Sequence, residues 1–232
     1  MKRTTYSVLG AVCFLTAALL FSAAGRSRDE QLAAEIAPGI LRFHILADSN
    51  RREDQELKLQ VRSFLLDQIN KGLSFLEEKE GSGQSPVAAK EETIRYIEEH
   101  SGALEAAAEQ VLLDAGCSCP VKIEVTEDYF PTKYYGDIRL PCGTYPAARV
   151  TIGSGRGHNW WCVLYPRLCF VNESWAVMPE SSKEELRRVL PERDYRAVLR
   201  PQLKISWKLG ELFSWSRPGS PGTFLNGLPP AV

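Results

Sequence analysis

The stretch from Gly153 to Val171, GSGRGHNWWCVLYPRLCFV, constrains this chain more than any other. Ala147 to Ile152 alternates polar and apolar residues, the period of a half-buried strand. Asn159 to Tyr165 is a nearly continuous apolar run of the length of a strand packed on both faces. Gly153, Gly155 and Gly157 lie between them, so the segment is expected to be a hairpin. Side chains alternate across a strand, which sends Trp160, Cys162 and Leu164 to one face and Trp161, Val163 and Tyr165 to the other. The two tryptophans therefore cannot share a core. One is expected inside and the other on the far side of the sheet, with Trp161 as the core member because Val163 and Tyr165 continue its face.

At the start of the chain, Lys2 and Arg3 precede an apolar run from Val8 to Phe21, followed by Ser22, Ala23 and Ala24. This is the pattern of a secretory signal peptide over residues 1–24. The run is shorter than the ~20 apolar residues that span a bilayer comfortably, so cleavage after Ala24 is expected, with a retained anchor as the alternative. Cleavage leaves 26 of the 28 Lys+Arg against 29 Asp+Glu, a net charge of −3. No basic excess suited to nucleic acid remains. With 44% hydrophobic and 25% charged residues, the roughly 200 residues that follow are expected to form one domain over 25–215. The Pro- and Gly-rich tail, 216–232, is expected to be disordered.

Five cysteines follow the signal segment: Cys117, Cys119, Cys142, Cys162 and Cys169. Five allow at most two disulfides and leave one thiol over. Cys162 and Cys169 enclose Val163 to Leu168, and a chain reversal near Pro166 would bring them within the Cα separation that a disulfide needs. Pairing among Cys117, Cys119 and Cys142 stays open.

Leu41, Phe43 and Ile45 alternate with Arg42, His44 and Leu46, a first strand. Asp48-Ser49-Asn50 marks a turn, and Asn50 with Glu53 has capping-box spacing for a helix whose apolar stripe is Leu57, Val61, Phe64, Leu65 and Ile69. Gly81 to Pro86 reads as a linker, with Ser85 and Pro86 suited to the cap and first position of a second helix. Ile94, Ile97, Leu104, Ala108, Val111 and Leu112 carry that helix to a stop at Gly116, with Ser101-Gly102 as a candidate break. Val121, Ile123 and Val125 alternate as a second strand, and Leu203, Ile205 and Trp207 as a last one. Helices grouped between strands, instead of alternating with them, predict an α+β fold. Its sheet should be mainly antiparallel, with two or three helices on one face and the other thinly covered.

Three blocks carry a resemblance to a known family: LRFHILADSNRREDQELKLQVR from Leu41 to Arg62, DYFPTKYYGDIRLPCGTYPAARVTIG from Asp128 to Gly153, and GRGHNWWCVLYPRLCFV from Gly155 to Val171. The chain resembles stage II sporulation protein R. The resemblance implies a signalling protein of endospore formers, not an enzyme. Such a protein is secreted from the forespore into the space between the two membranes. There it causes a membrane-embedded protease of the mother cell to cleave the inactive precursor of sigma factor E. It implies no cofactor, metal or nucleic acid, and membrane proximity only through that protease or an uncleaved signal segment. It also favours Cys162–Cys169 over any pair using Cys142, where the family commonly has Ala. Asp48-Ser49-Asn50-Arg51-Arg52 departs from the family's Asn-Ser-Asp-Ser-Pro.

Other chemistries compete with this one. A catalytic Cys needs a nearby imidazole, but His158 and Cys162, four residues apart on a strand, are more than about 10 Å apart at roughly 3.3 Å per residue. An extracytoplasmic hydrolase using Cys162 is the alternative function. A zinc site from His44, His158, Cys162 and Cys169 lacks a nucleating ligand pair. The glycine loop lacks the G-x-G-x-x-G register and no helix follows it. If the thinly covered face is the recognition surface, Arg42 and His44 lie on it with one of the tryptophans. The expected partner-binding residues are Arg42, His44, His158, Asn159, Trp160 and Trp161.

Overall fold

The computed structural model describes residues 2–80, 85–169 and 178–199, except the side chains of 2–9, 11 and 76–80. The chain divides into two units, Met1–Arg200 and Pro201–Val232. The second lies outside the described residues, and with it the strand expected over Leu203 to Lys208 and the tail 216–232.

Among the described residues six strands form: β1 Leu41–Leu46, β2 Val121–Phe130, β3 Lys133–Tyr135, β4 Ile138–Leu140, β5 Gly143–Ile152 and β6 Asn159–Tyr165. Four make one sheet in the order β2-β5-β1-β6, and β3 pairs with β4 in a small second sheet. β1 runs parallel to β5 and antiparallel to β6, and β2 is antiparallel to β5. The α+β class and the mainly antiparallel pairing expected from the sequence both hold.

The hairpin does not form, because β1 is inserted between β5 and β6. Leu41, Phe43 and Ile45 are fully buried, and so apolar a strand is stabilised most at the centre of a sheet, where both backbone edges are paired. The loop 153–158 must then cross two strand spacings, about 10 Å, which six residues span easily. It passes over the end of β1. Gly157 N–H donates to Ala47 O at 2.8 Å and Arg156 N–H to Asp48 O at 3.2 Å, while Ser154 N–H donates to Asp48 Oδ1 at 2.6 Å. Gly153 and Gly155 take φ of +57° and +64° to make this path, a region that side chains disfavour.

Helices α2 (Arg52–Glu80) and α3 (Pro86–Asp114) cover one face of the sheet. Ser85 caps α3 as expected, its hydroxyl accepting from Ala88 N–H at 3.3 Å, with Pro86 at the first helical position. Ser101-Gly102 does not break the helix, and Gly116 ends it at φ +82°. The Asn50–Glu53 capping box is absent. The helix starts at Arg52, which places Asn50 one residue ahead of the cap. Ser49 Oγ instead accepts Arg51 N–H at 3.1 Å and donates to Asp54. Val61, Leu65, Ile69, Ile97, Leu104 and Leu112 pack against Phe43, Ile45, Val150, Ile152, Cys162 and Leu164 as one core. α3 also blunts the edge strand β2, since Glu105 and Glu109 accept from Ile123 and Val121 N–H at 2.7 and 2.9 Å.

The other face is not bare. α1 (Lys2–Ile36), α4 (Glu180–Val189) and α5 (Glu192–Val198) form a second core there. Ala33, Ile36, Leu186, Tyr195 and Val198 pack with Phe130, Tyr145, Ala147 and Val163. α1 is one helix through the expected cleavage point after Ala24. Phe14, Leu15, Leu19, Leu20 and Phe21 on it are exposed. From Asp29 onward it is docked, with Asp29 paired to Arg139 and Glu30 accepting from Tyr129 Oη at 3.0 Å. Among the described residues, no helix is long and apolar enough to cross a membrane.

Candidate functional site

Strand register decides which side chains share the second face. Arg42, Ala147 and Val163 form one rung across β1, β5 and β6. His44, Arg149 and Trp161 form the next, and Leu46, Thr151 and Asn159 the third. The first rung is fully buried under the second core. The other two are only half-buried, so the covering helices stop partway along the sheet.

Arg42, expected on the recognition surface, is not there. Its side chain is 0% exposed. Its Nε donates to Cys162 O at 2.9 Å and Nη2 to Tyr135 Oη at 3.4 Å. The guanidinium lies over the rings of Phe130 and Tyr145 at 4.3 and 5.1 Å. Nη1 has no partner among the described residues. Burial pulls its pKa below the ordinary value, against weaker support from Tyr135 and Tyr145, yet a guanidinium remains charged in any folded protein. A polar residue at a strand position suggests exposure, but an arginine can lie buried on aromatic faces, and that is what corrects the expectation.

His44 sits on the open half, its ring held from three sides. Nδ1 donates to Asp128 Oδ2 at 2.8 Å, and Nε2 lies 2.8 Å from Asn159 Oδ1. The Trp161 ring stacks on the imidazole at 5.8 Å and 20°, and Lys133 Nζ lies over the indole, 4.6 Å from its centroid. Asp128 also receives both Arg149 Nε, at 2.9 Å, and Arg149 Nη2. Arg149 reaches on to Glu124 at 3.3 Å. Burial pushes the Asp128 carboxyl up, but the hydrogen bonds from Arg149 and His44 together outweigh it and hold the group below the usual carboxylate range. The result is a continuous polar network from Asn159 through His44 and Asp128 to Glu124, with Trp161 stacked on its centre.

Trp160 points to the opposite face, beside the α2–α3 core, with Arg62 lying 4.3 Å over its ring. Both tryptophans are half-buried and both indole N–H groups are enclosed without a partner among the described residues. Opposite faces were expected, but a single core tryptophan was not found, because each face is covered up to this point. His158 is exposed at the mouth of the loop, where its carbonyl accepts from the buried Lys58 Nζ at 2.8 Å. Sequence reasoning missed Asp128, Arg149 and Lys133. Asp128 and Arg149 lie on the paired strands β2 and β5 and Lys133 on β3 of the second sheet, and only the tertiary structure brings them to His44 and Trp161.

Cys162 and Cys169 are joined, with sulfurs 2.14 Å and Cα atoms 5.3 Å apart, and Cys169 N–H donates to Val163 O at 3.0 Å. Cys117 is joined to Cys119, and Cys142 is free. A sulfur engaged in a disulfide cannot serve as a thiolate nucleophile, which takes Cys162 out of the hydrolase alternative. Among the described residues no cluster of three or more His, Cys, Asp or Glu side chains is placed to hold a metal ion. Replacing both Cys162 and Cys169 by Ser is expected to cost about 2 to 3 kcal/mol for so short a loop. Urea denaturation of the double variant against the parent, both without reductant, measures it.

The fold and site define a small α+β domain, tied by disulfides, that displays an aromatic and histidine-centred network on the open half of its sheet. A family model described as stage II sporulation protein R matches residues 37–175. Stage II sporulation protein R of Bacillus subtilis (strain 168) is 30% identical over 192 residues, covering 81% of this chain and 81% of that protein. No solved structure matches the chain. The chain belongs to the stage II sporulation protein R family, which gives it a role in sporulation. The matched region contains every residue of the His44 network and both tryptophans.

Proposed function

We propose that this protein is a secreted sporulation signal that activates a membrane-embedded protease of the mother cell. Exported from the forespore into the intermembrane space, it triggers cleavage of the sigma-E precursor by binding the protease and performs no chemistry itself. Family membership over residues 37–175 carries this reading. The open half of the sheet supplies the contact surface: Trp161 as aromatic anchor, with His44, Asn159 and the exposed His158 around it. Half-buried tryptophans with polar neighbours are typical binding hot spots, and truncating one costs about 2 kcal/mol or more, roughly thirtyfold in affinity.

The test is co-expression in a non-sporulating host of this chain, the protease and the sigma precursor, with cleavage scored on a gel. Omitting this chain should leave the precursor intact. Trp161→Ala should reduce cleavage at least about tenfold at sub-saturating expression while the purified protein stays folded. Trp160→Ala, on the opposite face, should retain cleavage. Precursor processing that is independent of this chain would overturn the function. Loss of cleavage in Trp160→Ala alone would overturn the assigned surface.

A further inference from the structure

The two disulfides among the described residues differ in what governs exchange with an outside thiol. Exchange begins when a thiolate attacks one sulfur of the bond and the other leaves as a thiolate, so one sulfur must be reachable and the other must leave into water. Cys162–Cys169 meets neither condition. Cys162 is 3% exposed and belongs to the core formed with α2 and α3, which shields its sulfur from attack. Attack on the half-buried Cys169 would instead expel the Cys162 sulfur as a thiolate inside that core, where burial disfavours the charge. The fold also keeps this pair together, because Leu168 and Cys169 N–H both donate to Val163 O, at 3.2 and 3.0 Å.

Cys117–Cys119 lies in the turn between α3 and β2. Both cysteines are half-buried at the rim of the same core, and Ala115, Gly116, Ser118 and Pro120 around them are exposed. Both residues therefore reach solvent, and whichever sulfur leaves does so at the surface. Cys117 is fixed by its N–H, which donates to Leu112 O at 2.8 Å, whereas Cys119 makes no hydrogen bond among the described residues. Only Ser118 separates the two. Once the bond is open, closing it again needs a tight turn about that one residue, and loops so short and stiff close poorly. A mixed disulfide on one cysteine is then displaced slowly by the other, and it persists.

We infer that Cys117–Cys119 is a site of covalent modification by low-molecular-weight thiols, while Cys162–Cys169 is a closed structural bond. The attacking thiolate forms a bond to one of the two sulfurs and the Cys117–Cys119 bond breaks. The other cysteine keeps the bonding electron pair as a thiolate and takes a proton from water. One protein disulfide thus becomes one mixed disulfide and one thiol, with no external oxidant. The test incubates the full chain, purified without reductant, with reduced glutathione at pH 7, quenches samples with acid and N-ethylmaleimide, and maps tryptic peptides by mass spectrometry. Cys117 and Cys119 share one tryptic peptide, and Cys142, Cys162 and Cys169 each fall in another. A glutathione adduct is expected on the Cys117–Cys119 peptide, with that bond opening at least about tenfold faster than Cys162–Cys169. Opening of Cys162–Cys169 at an equal or greater rate overturns the assignment. So does recovery of Cys117 and Cys119 as two free thiols before glutathione is added. Opening straight to the dithiol, without an adduct, overturns the persistent mixed disulfide. A parallel incubation with reduced thioredoxin at the same thiol concentration separates the sources: opening by thioredoxin but not by glutathione overturns the low-molecular-weight ligand. Every comparison uses the unaltered protein, so none depends on how a variant folds.

Discussion

Arg42→Ala is expected to destabilise the protein by about 4 kcal/mol. Three losses combine. The side chain is fully buried, so its removal opens a cavity beside the rings of Phe130 and Tyr145, against which it lies. The carbonyl of Cys162 loses the donor 2.9 Å away, and an enclosed acceptor without a partner costs about 1 to 3 kcal/mol. Cation–π attraction to two rings, about 2 kcal/mol when desolvated, is also lost. Against these stands relief of burying a cation with no carboxylate beside it, which is why the total is smaller than the sum. Arg42→Met separates the contributions. It refills most of the volume and removes the buried charge, so it should cost only about 1 to 2 kcal/mol. Urea denaturation of both variants is decisive: equal losses would mean that charge and hydrogen bonding, not packing, set the role of Arg42.

Asp128→Asn is expected to cost about 3 kcal/mol at neutral pH. The carboxylate accepts from His44 at 2.8 Å and from two nitrogens of Arg149, and hydrogen bonds to charged groups contribute about 1.5 to 3 kcal/mol each. Its side chain is 13% exposed, so solvent replaces little of what is lost. The sign with pH follows from its lowered pKa. A carboxylate held below its unfolded value of about 3.9 contributes stability that is fully present above that pH and is lost as pH falls through the folded pKa. The parent should therefore lose stability in acid faster than Asp128→Asn, and the gap between them should narrow below about pH 4. Denaturation midpoints at pH 7, 5 and 3 measure it. A gap that stays constant across this range would exclude Asp128 as an ionised hub of the network.

Loss of the hub should also free His44 and Trp161, which has a consequence for the proposed surface. Asp128→Asn should weaken the proposed activation of precursor cleavage even where enough folded protein remains, because the indole is positioned by its stack on the imidazole.

Local information was enough for much of this protein. Alternation placed β1 and parts of β2 and β5, since a period of two is a property of consecutive residues, and a continuous apolar run placed β6. The Ser85-Pro86 start and Gly116 stop of α3 depend on backbone groups within a few positions of each other. The three blocks, read directly from the residues, pointed to the stage II sporulation protein R family. Opposite faces for Trp160 and Trp161 also follow from alternation alone.

Pairing was not local. Two strands joined by a short glycine loop ordinarily make a hairpin, and nothing in Gly143 to Tyr165 shows that β1, about a hundred residues earlier, lies between them. The insertion wins because the apolar face of Leu41, Phe43 and Ile45 and both backbone edges of β1 are satisfied at once, a free-energy gain that exists only when the whole sheet assembles. The same holds for the site. His44, Asn159 and Trp161 were recognisable as residue types, but Asp128 and Arg149 join them only through the register of three strands. The helices α1, α4 and α5, whose packing buries Arg42 and leaves the rungs of Trp161 and Asn159 only partly covered, decide by where they end which part of the face a partner can reach.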